Sequence, residues 1–168
     1  MVAEASLDTG ETMVVVDVLY GRGHPNIRAT HKTTLEITKE PHVTPRGDCI
    51  IAVNATKATK DLDPELKNII RRGDAVVVIV LEINDLRDIV LAMGSSKLLL
   101  SSDEKIIIRK STYIEPATLA IRSNKAARDI DRRLVEKLKN PDTILKVKII
   151  GLLLEEIESI NEGIGSVI

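Results

Sequence analysis

"IAVNATKATKDLDPELKNII", residues Ile51–Ile70, is the stretch that decides how this sequence is read, because it recurs as "LAIRSNKAARDIDRRLVEKL", residues Leu119–Leu138. The two stretches align without a gap and share six identities in twenty positions. The identical pairs are Ala52 and Ala120, Lys57 and Lys125, Ala58 and Ala126, Asp61 and Asp129, Asp63 and Asp131, and Leu66 and Leu134. Self-similarity at a fixed offset is typical of a repeated unit. We therefore predict a degenerate internal duplication with a pseudo-twofold axis; the alternative is chance similarity between two strand-to-helix junctions.

The duplication predicts a single domain, residues 11–158, made of two similar halves, 11–73 and 74–140. A closing strand at Thr143–Leu154 completes it, and we expect residues 1–10 and 159–168 to be tails. With a shift of register, "THKTTLEI" (Thr30–Ile37) also lies over "MGSSKLLL" (Met93–Leu100). A length of 168 residues agrees with one domain whose halves share a core.

Apolar runs and alternating segments predict a mostly β fold with two helices. The strands are expected at Thr12–Tyr20, Ile27–Thr38, Cys49–Asn54, Asp74–Asn84, Asp88–Ala92, Lys97–Leu100, Lys105–Lys110, Thr118–Ile121 and Thr143–Leu154. The first helix begins after an Asp63 cap with Pro64 and ends at Gly73. The second begins at Ser123. Its predicted buried stripe is Ala126, Ala127, Ile130, Leu134 and Leu138. We predict an α+β fold, barrel-like or a curled sheet, with the helices outside and a ligand crevice between the halves.

The composition predicts a soluble, cytoplasmic protein with thermophile-like residue usage. Apolar residues make up 43% and charged residues 29% of the chain, and there is one cysteine, which excludes an internal disulfide. The N-terminal "MVAEASLDTG" lacks the apolar run of a signal peptide, and "IIGLLL" is too short to cross a bilayer. A net charge of −1 and an aromatic content of 1% argue against a general nucleic-acid coat and against base stacking.

Two histidines stand in the unusual stretch "YGRGHPNIRATHKTTLEI", Tyr20–Ile37. Alternation along the expected strand places His31 in an apolar stripe beside Thr33. His31 is then either a core histidine bonded to a neighbour or an acid/base group at the floor of a pocket. His24, between a glycine and a proline, is either part of a surface turn or close to a ligand. The spacing of the two histidines gives poor support for a metal pair, and we predict no metal site.

The cations suggest an anion site. Lys125 lies in the first turn of the expected second helix, where the helix dipole disfavours a cation unless a phosphate or carboxylate binds there. Lys57 holds the matching place in the first half. The alternative is pairing of such cations with neighbouring acids along the helix. Asp48 either orients a histidine or caps a turn, and Cys49 reads as an inert core thiol.

The leading hypothesis is an anionic, phosphorylated small molecule or nucleotide bound between the halves; whether the protein is an enzyme and which cofactor it uses stay open. The expected acid/base residues are His24, His31 and Asp48, and the expected ligand-binding residues are Arg46, Lys57, Arg109, Lys125, Asn124 and Thr33. One alternative is an RNA-binding module that uses Arg22, Arg28, Lys32, Arg109 and Lys110. Another is a structural homo-oligomer that pairs through the strand ending at Leu154. Walker A, Gly-x-Gly-x-x-Gly, His-Glu-x-x-His, Cys-x-x-Cys and Gly-x-Ser-x-Gly motifs are absent.

Four blocks carry a resemblance to a known family: "GHPNIRATHKTTLEITKE", "TPRGDCIIAVNA", "RKSTYI" and "TLAIRSNKAARDIDRRLV". Over residues 12–140 the chain resembles domain of unknown function 371, an archaeal family. The resemblance implies an archaeal cytosolic protein of mixed α and β structure, and it implies no activity. Ala117 stands where an arginine is frequent in that family, so a site that used this arginine would lack one charge here.

Overall fold

Strands dominate the computed structural model, which describes residues 5–8 and 13–153. The strands are β1 (Ala5–Asp8), β2 (Met13–Arg22), β3 (Thr34–Thr38), β4 (Ile50–Ala52), β5 (Ala75–Ile83), β6 (Leu86–Met93), β7 (Lys105–Arg109), β8 (Thr118–Ala120) and β9 (Ile144–Leu153). The helices are α1 (Pro64–Ile70) and α2 (Arg132–Lys137), each preceded by a 3₁₀ turn, at Thr59–Asp61 and Ala127–Asp129. The predicted mostly β composition with two helices is confirmed.

The strands form two sheets. One has the order β1-β2-β9-β5-β6 and is antiparallel, and the other has the order β4-β3-β7-β8, in which only the central pair is antiparallel. Single bridges, Arg22 to Val53 and Met93 to Ile121, join the two sheets. The expected barrel or curled sheet is wrong, because both strand orders are open across the described residues.

Strand β9 lies inside the five-stranded sheet and bonds to β2 on one edge and to β5 on the other. Edge-to-edge pairing with a second copy, which the oligomer hypothesis placed on this strand, therefore has no free edge to use there. The apolar residues of β9 serve the core instead: Leu145, Val147 and Ile149 are fully buried.

The core lies between the two sheets and under α1. Alternate residues of the five-stranded sheet, such as Leu19 and Ile79, join the inward residues of the four-stranded sheet, such as Leu35 and Ile108, in one buried cluster. Helix α1 lies so close to β9 that a Cβ on Gly151 would meet Leu66, Ile69 and Ile70 at 3.0–3.1 Å. Each fully buried aliphatic side chain contributes about 1.5–3 kcal/mol to stability.

The helix starts are set by aspartate caps. Asp63 accepts hydrogen bonds from the amides of Glu65 (2.9 Å) and Leu66 (3.4 Å), as predicted. The second helix starts later than predicted, since Asp131 accepts from the amide of Arg133 (2.9 Å) and caps α2. Residues 123–130 are therefore not helical apart from the 3₁₀ turn, although all five residues of the predicted stripe are buried. The argument that placed Lys125 in a helical first turn is wrong.

Two predicted strand segments are loops, for the same reason. Strand β3 begins at Thr34 rather than at Ile27, and Lys97–Leu100 forms no strand. Ala29 has φ 50° and Leu100 has φ 49°, and a residue in this left-handed region ends the extended alternation of side chains.

The termini differ in part from the expected tails. Residues 5–8 form β1, which pairs with β2 from Ala5–Val16 to Asp8–Met13. Residues 1–4 and 9–12 lie outside the described residues, and so does the predicted tail at 159–168.

The order of elements in residues 13–83 (the first half) recurs in residues 86–153 (the second half): strand, strand, strand, helix, strand. The two halves interlock. The His24 amide donates to the carbonyl of Leu138 at the end of α2 (2.8 Å), and the Ser95 amide donates to the carbonyl of Ile70 at the end of α1 (2.9 Å). Each half therefore completes the helix end of the other.

Candidate functional site

The histidine loop, residues 24–33, connects β2 to β3 and is held from three sides. The amides of Thr30 and His31 donate to the carbonyl of Asp48 at 2.9 and 3.1 Å. The Arg128 amide donates to the carbonyl of His31 (3.1 Å). The Lys110 amide donates to the carbonyl of Thr33 (2.9 Å). These bonds fix the loop beside residues 122–130, which lead into α2.

His31 closes a turn through one ring nitrogen. Its Nδ1 accepts hydrogen bonds from the amides of Thr33 (3.2 Å) and Thr34 (3.1 Å), and the Thr33 hydroxyl lies 3.4 Å away. Because amides donate, Nδ1 carries no proton, and the neutral ring holds its proton at Nε2. His31 is half-buried in a loop, so its predicted place in an apolar strand stripe is wrong. Its Nε2–H remains a potential donor.

His24 occupies a similar turn at the start of the loop. Its Nδ1 accepts from the amide of Asn26 (3.0 Å), and its ring packs edge-on against His42 with 6.2 Å between ring centroids. Gly23 precedes it because a Cβ there would meet the carbonyl oxygen of Asn140 at 2.1 Å. Of the predicted acid/base residues, Asp48 lies beside His31, but its carbonyl rather than its carboxylate makes the contact.

The serine loop, residues 95–104, repeats these contacts in the second half. Ser102 Oγ accepts from the amides of Glu104 (3.2 Å) and Lys105 (3.1 Å), as His31 Nδ1 does. Ser95 Oγ accepts from the amide of Lys97 (3.1 Å), as His24 Nδ1 does. The Lys60 amide donates to the carbonyl of Ser102 (3.0 Å), matching Arg128 and His31. Serine hydroxyls and imidazole nitrogens thus perform one structural task.

The two loops differ in charge. Arg28, Lys32 and Arg128 are exposed on the histidine side. The corresponding residues on the serine side are Leu99 for Arg28, Asp103 for Lys32 and Lys60 for Arg128. The Lys60 ammonium lies 3.1 Å from Asp103. Among the ion pairs of the described residues, none involves the three cations of the histidine side. This side therefore presents three cations without ion pairs, although Arg128, after Lys110, contributes to the lowered pKa of the Asp129 carboxyl.

Two aspartates that were not predicted hold the two predicted lysines. Asp17, fully buried on β2, accepts from Lys57 Nζ at 2.7 and 2.9 Å and from the Asp63 amide at 2.9 Å. Asp88, on β6, is bonded to Lys125 Nζ and to the Asp131 amide (2.8 Å). A lone acid inside an apolar strand ("VVVDVLY") was the available signal, since a buried charge needs a partner.

A second pair of acids holds the 3₁₀ turns. Asp61 accepts from the Ala58 amide (2.9 Å) and pairs with Lys39 (2.6 Å). Asp129 accepts from the Ala126 amide (2.9 Å) and pairs with Lys110 (2.8 Å). The lysine contact, with help from the amide, lowers the pKa of each carboxyl. Lys110, one of the cations of the RNA hypothesis, is thus engaged in structure.

The remaining predicted residues are dispersed. Arg109 pairs with Glu115 (3.2 Å) and lies over the Tyr113 ring, 4.8 Å from its centroid. Asn124 is hydrogen-bonded to Leu91 at the edge of β6. The backbone amide of Asn124 donates to the Leu91 carbonyl (2.8 Å), and its side-chain Oδ1 accepts from the Leu91 amide (2.9 Å). Arg46 and Thr33 are exposed, and Arg46 has no ion pair within the described residues.

Cys49 is poorly suited to nucleophilic chemistry. Burial, with the nearby Glu36 carboxylate, raises the pKa of its thiol to about 11, so almost no thiolate exists at neutral pH. The thiol lies 3.8 Å from Glu36 Oε1. Burial also raises the pKa of Glu36, which lies 7% exposed on the four-stranded sheet.

A shallow depression where the two halves meet is lined by residues other than the predicted set. Its walls are Tyr20, Gly21, Arg22, Asn54 and Thr56 from the first half and Ile144 from the second. Arg22, from the RNA hypothesis, is exposed there. In the described part of the chain, neither helix has the length and apolar content needed to cross a membrane.

Comparison with known proteins shows the family of this chain. Residues 19–152 match the family described as Domain of unknown function (DUF371). The chain belongs to that family. It is also similar to "Uncharacterized protein MJ0206" of the archaeon Methanocaldococcus jannaschii, with 43% identity over 122 residues, which is 73% of this chain and 90% of the relative. The predicted family is confirmed; neither match carries an activity.

Proposed function

We propose that this DUF371 protein binds a phosphate-bearing ligand on the cationic surface, defined as the histidine loop together with residues 122–130. The observation that carries the proposal is that Arg28, Lys32 and Arg128 are exposed and without ion pairs among the described residues. Arg28 and Lys32 lie in the same loop as His31, and the Arg128 amide bonds to the His31 carbonyl. A group of exposed cations without ion pairs, on a fold of net charge −1, is suited to an anion.

The available groups suit phosphate chemistry. Arginine offers a planar fork of donors and lysine a point charge, and both make charge-assisted hydrogen bonds to phosphate oxygens. His31 adds its Nε2–H and Thr33 its exposed hydroxyl. Arg46 is a further exposed cation two residues before Asp48, whose carbonyl supports the loop. These six side chains are our proposed ligand contacts.

The serine loop supports the proposal because it forms the same turns without cations at the positions of Arg28 and Lys32. If the fold required Arg28 and Lys32, their counterparts would be cations, yet those are Leu99 and Asp103. Lys57 and Lys125 have matching structural roles in both halves, and we remove them from the proposed direct contacts. His24 and Asp48 remain proposed as residues that position the loop.

RNA bound through its phosphates is the second candidate. The openness of the surface and the exposed Arg22 beside Tyr20 at the neighbouring depression favour it. RNA binding through phosphates has a steep salt dependence, because each contact releases counterions. A small phosphorylated ligand engages fewer cations and gives a shallower slope.

The test uses sodium pyrophosphate in calorimetry and a short fluorescein-labelled RNA in anisotropy, each at two salt concentrations. Arg28→Leu and Lys32→Asp introduce the residues of the serine loop, and Lys97→Asp is the matched control, since Lys97 is an exposed lysine of that loop. We expect each loop variant to lose about tenfold in pyrophosphate affinity, because a hydrogen bond to a charged group contributes about 1.5–3 kcal/mol. The control should stay within about twofold of the unmodified protein.

The outcomes separate the candidates. Tight, salt-sensitive RNA binding that Lys32→Asp weakens, with no pyrophosphate binding, would replace the small ligand with RNA. Equal affinities for the unmodified protein, both loop variants and the control would contradict the cationic surface itself.

We also infer that the two halves descend from one duplicated unit, with boundaries at residues 13–83 and 86–153. The paired Asp–Lys contacts, the paired aspartate caps and the positive φ values at Ala29 and Leu100 support this. The boundary shifts from residue 73 to residue 83 because β5 has its counterpart in β9, not in β2. Duplication explains how one loop kept a structural role while the other gained cations.

A further inference from the structure

The outer face of the five-stranded sheet, the side turned away from the four-stranded sheet, is largely apolar. One row across it is Val16, Ile150, Val78 and Leu91. The adjacent rows are Val14, Leu152, Val76 and Met93 on one side, and Val18, Lys148, Val80 and Ile89 on the other. On the β6 side of this face Ile89 and Leu91 are 44% and 46% exposed, whereas Val18 and Val80 of the third row are 1% and 8% exposed. A contiguous apolar face of this kind marks a packing surface.

Cations border this apolar face. Lys148 stands in the third row and Lys146 in the next, where the row is Tyr20, Lys146, Glu82 and Arg87. Lys148 Nζ lies 3.9 Å from Glu82 Oε1, an atom that is buried without a hydrogen bond. Only Glu82 offsets the positive charge of these two rows, so the face is suited to an acidic, amphipathic partner.

The chain itself supplies such a segment directly after β9. Residues 154–168 read "LEEIESINEGIGSVI" and contain four glutamates and no lysine or arginine. Leu154, Ile157, Ile160 and Ile164 recur at the three- and four-residue spacing of one helix face. Glu156 and Glu158 flank that stripe on a helical projection.

Its length and point of attachment fit the face. Strand β9 ends at Leu153, next to the row that contains Leu152. Four strands at roughly 4.8 Å spacing make the apolar rows about 14 Å wide. A helix of fifteen residues is about 22 Å long. Because the segment starts on β9, it is long enough to run over β5 and β6 to that edge of the face.

We propose that residues 154–168 pack across the outer face from β9 toward β6, with the Leu154, Ile157 and Ile160 stripe on the apolar rows. Intramolecular attachment favours this occupant over a second copy, because a short connection gives a high effective concentration. The face is then closed to self-association in the intact chain. This inference is independent of the cationic surface.

Paramagnetic relaxation in the full-length protein tests the proposal. A nitroxide is attached at Ser159→Cys in a Cys49→Ser background, and the methyl signals of Val78, Leu91 and Ile150 are recorded. We expect strong broadening of these signals, with those of Ile106 and Ile108, on the other sheet, little changed. The matched control carries the same label at Asp103→Cys on the exposed serine loop and should leave the Val78, Leu91 and Ile150 methyls sharp.

A mixed sample identifies the occupant. Spin-labelled protein without isotopes is combined with isotope-labelled protein without a spin label. If the methyl signals broaden when spin label and isotopes are on the same molecule, but not when they are on different molecules in the mixture, the proposal is supported. Equal broadening in the mixture means that the segment of a second copy occupies the face, and absence of broadening in both means that the segment lies elsewhere; either result overturns the proposal.

Discussion

The histidine loop and the serine loop have the same backbone contacts and different side chains. Both bond to the end of the other half's helix, both receive an amide from a 3₁₀ turn, and both contain one residue with positive φ. The histidine loop has two histidines, Arg28 and Lys32; at the matching positions the serine loop has two serines, a leucine and an aspartate. The comparison separates what the fold requires from what it leaves free, because any contact made in both loops is structural.

In His24 and His31 the two ring nitrogens have different roles. Nδ1 of His24 and of His31 does what a serine hydroxyl does in the other loop, so this nitrogen belongs to the fold. Nε2 has no counterpart in serine. The proposed function therefore assigns ligand contacts to Nε2 of His31 and to the exposed cations of this side.

The largest predicted effect is on stability, from an aspartate–lysine ion pair that occurs in both halves but is more deeply buried in the first. Asp17 is fully buried and Lys57 is 13% exposed, whereas Asp88 and Lys125 are 10% and 29% exposed. Removing one member of a buried pair leaves an uncompensated charge and costs about 3–5 kcal/mol. We expect Asp17→Asn to lower the unfolding free energy by that amount and Asp88→Asn by about 1–3 kcal/mol, since Lys125 can reach water.

Denaturant unfolding monitored by circular dichroism measures both values. Asp85→Asn, at the exposed tip of the β5–β6 hairpin, is the control and should change stability by less than about 0.5 kcal/mol. Equal losses for Asp17→Asn and Asp88→Asn would contradict the claim that burial sets the difference.

An intermediate effect is expected from replacing His31 with the serine that occupies the matching position, Ser102, in the serine loop. His31→Ser places the residue of the serine loop where its hydroxyl can accept from Thr33 and Thr34, so stability should stay within about 1 kcal/mol. His31→Leu leaves those amides without an acceptor and should cost about 1–2 kcal/mol. Both variants lack Nε2 and should bind pyrophosphate equally weakly.

Thermal unfolding and calorimetry on the same two variants separate the roles. If His31→Ser were as unstable as His31→Leu, the shared-turn account would fail. If His31→Ser kept full pyrophosphate affinity, Nε2 would have no part in binding.

The smallest effect is a pH dependence at Glu36, which faces Ile107 across the β3–β7 ladder. Burial raises the pKa of this carboxyl above its ordinary 4.5, although Lys105 offsets part of the increase. The resulting stabilisation is complete below the unfolded value and is lost as pH rises through the folded value. Glu36→Gln should therefore be more stable than the unmodified protein at pH 7, with the difference vanishing near about pH 3.5.

Chemical denaturation of Glu36→Gln and of the unmodified protein, from pH 7 down to about pH 3.5, measures the difference in unfolding free energy. Lys105→Gln should enlarge it, because Lys105 is the cation that stabilises the Glu36 carboxylate. A difference that grew toward acid pH would show that the sign is wrong.

Local signals in the sequence were sufficient for much of the fold. The Asp63 cap with Pro64 predicted the start of α1, and the gapless alignment matched the elements from β4 to α1 with those from β8 to α2. The alignment also found Lys57 and Lys125, and each of these lysines makes an ion pair with an aspartate in the structure.

The rest depended on an insertion and on distant partners. Eleven residues separate β3 from β4 but only eight separate β7 from β8, so a gapless alignment places Asp88 three residues away from its counterpart Asp17. The same shift hid the match between His31 and Ser102, which the predicted register with Met93–Leu100 missed. The second helix was predicted too early because the buried stripe from Ala126 to Leu138 does not reveal that a 3₁₀ turn forms its first part.

The pairing of β2 with β9 also bears on how the protein is made. Val14 lies opposite Leu152, and the Gly23 amide bonds to the carbonyl of Thr143 (3.1 Å). During synthesis, the apolar strand that emerges early cannot find its central partner until nearly the whole chain has left the ribosome. Long-range pairings of this kind slow folding. The nascent chain therefore holds β2 with its β9 edge unpaired until residues 144–153 have emerged, the stage at which a chaperone would be most useful.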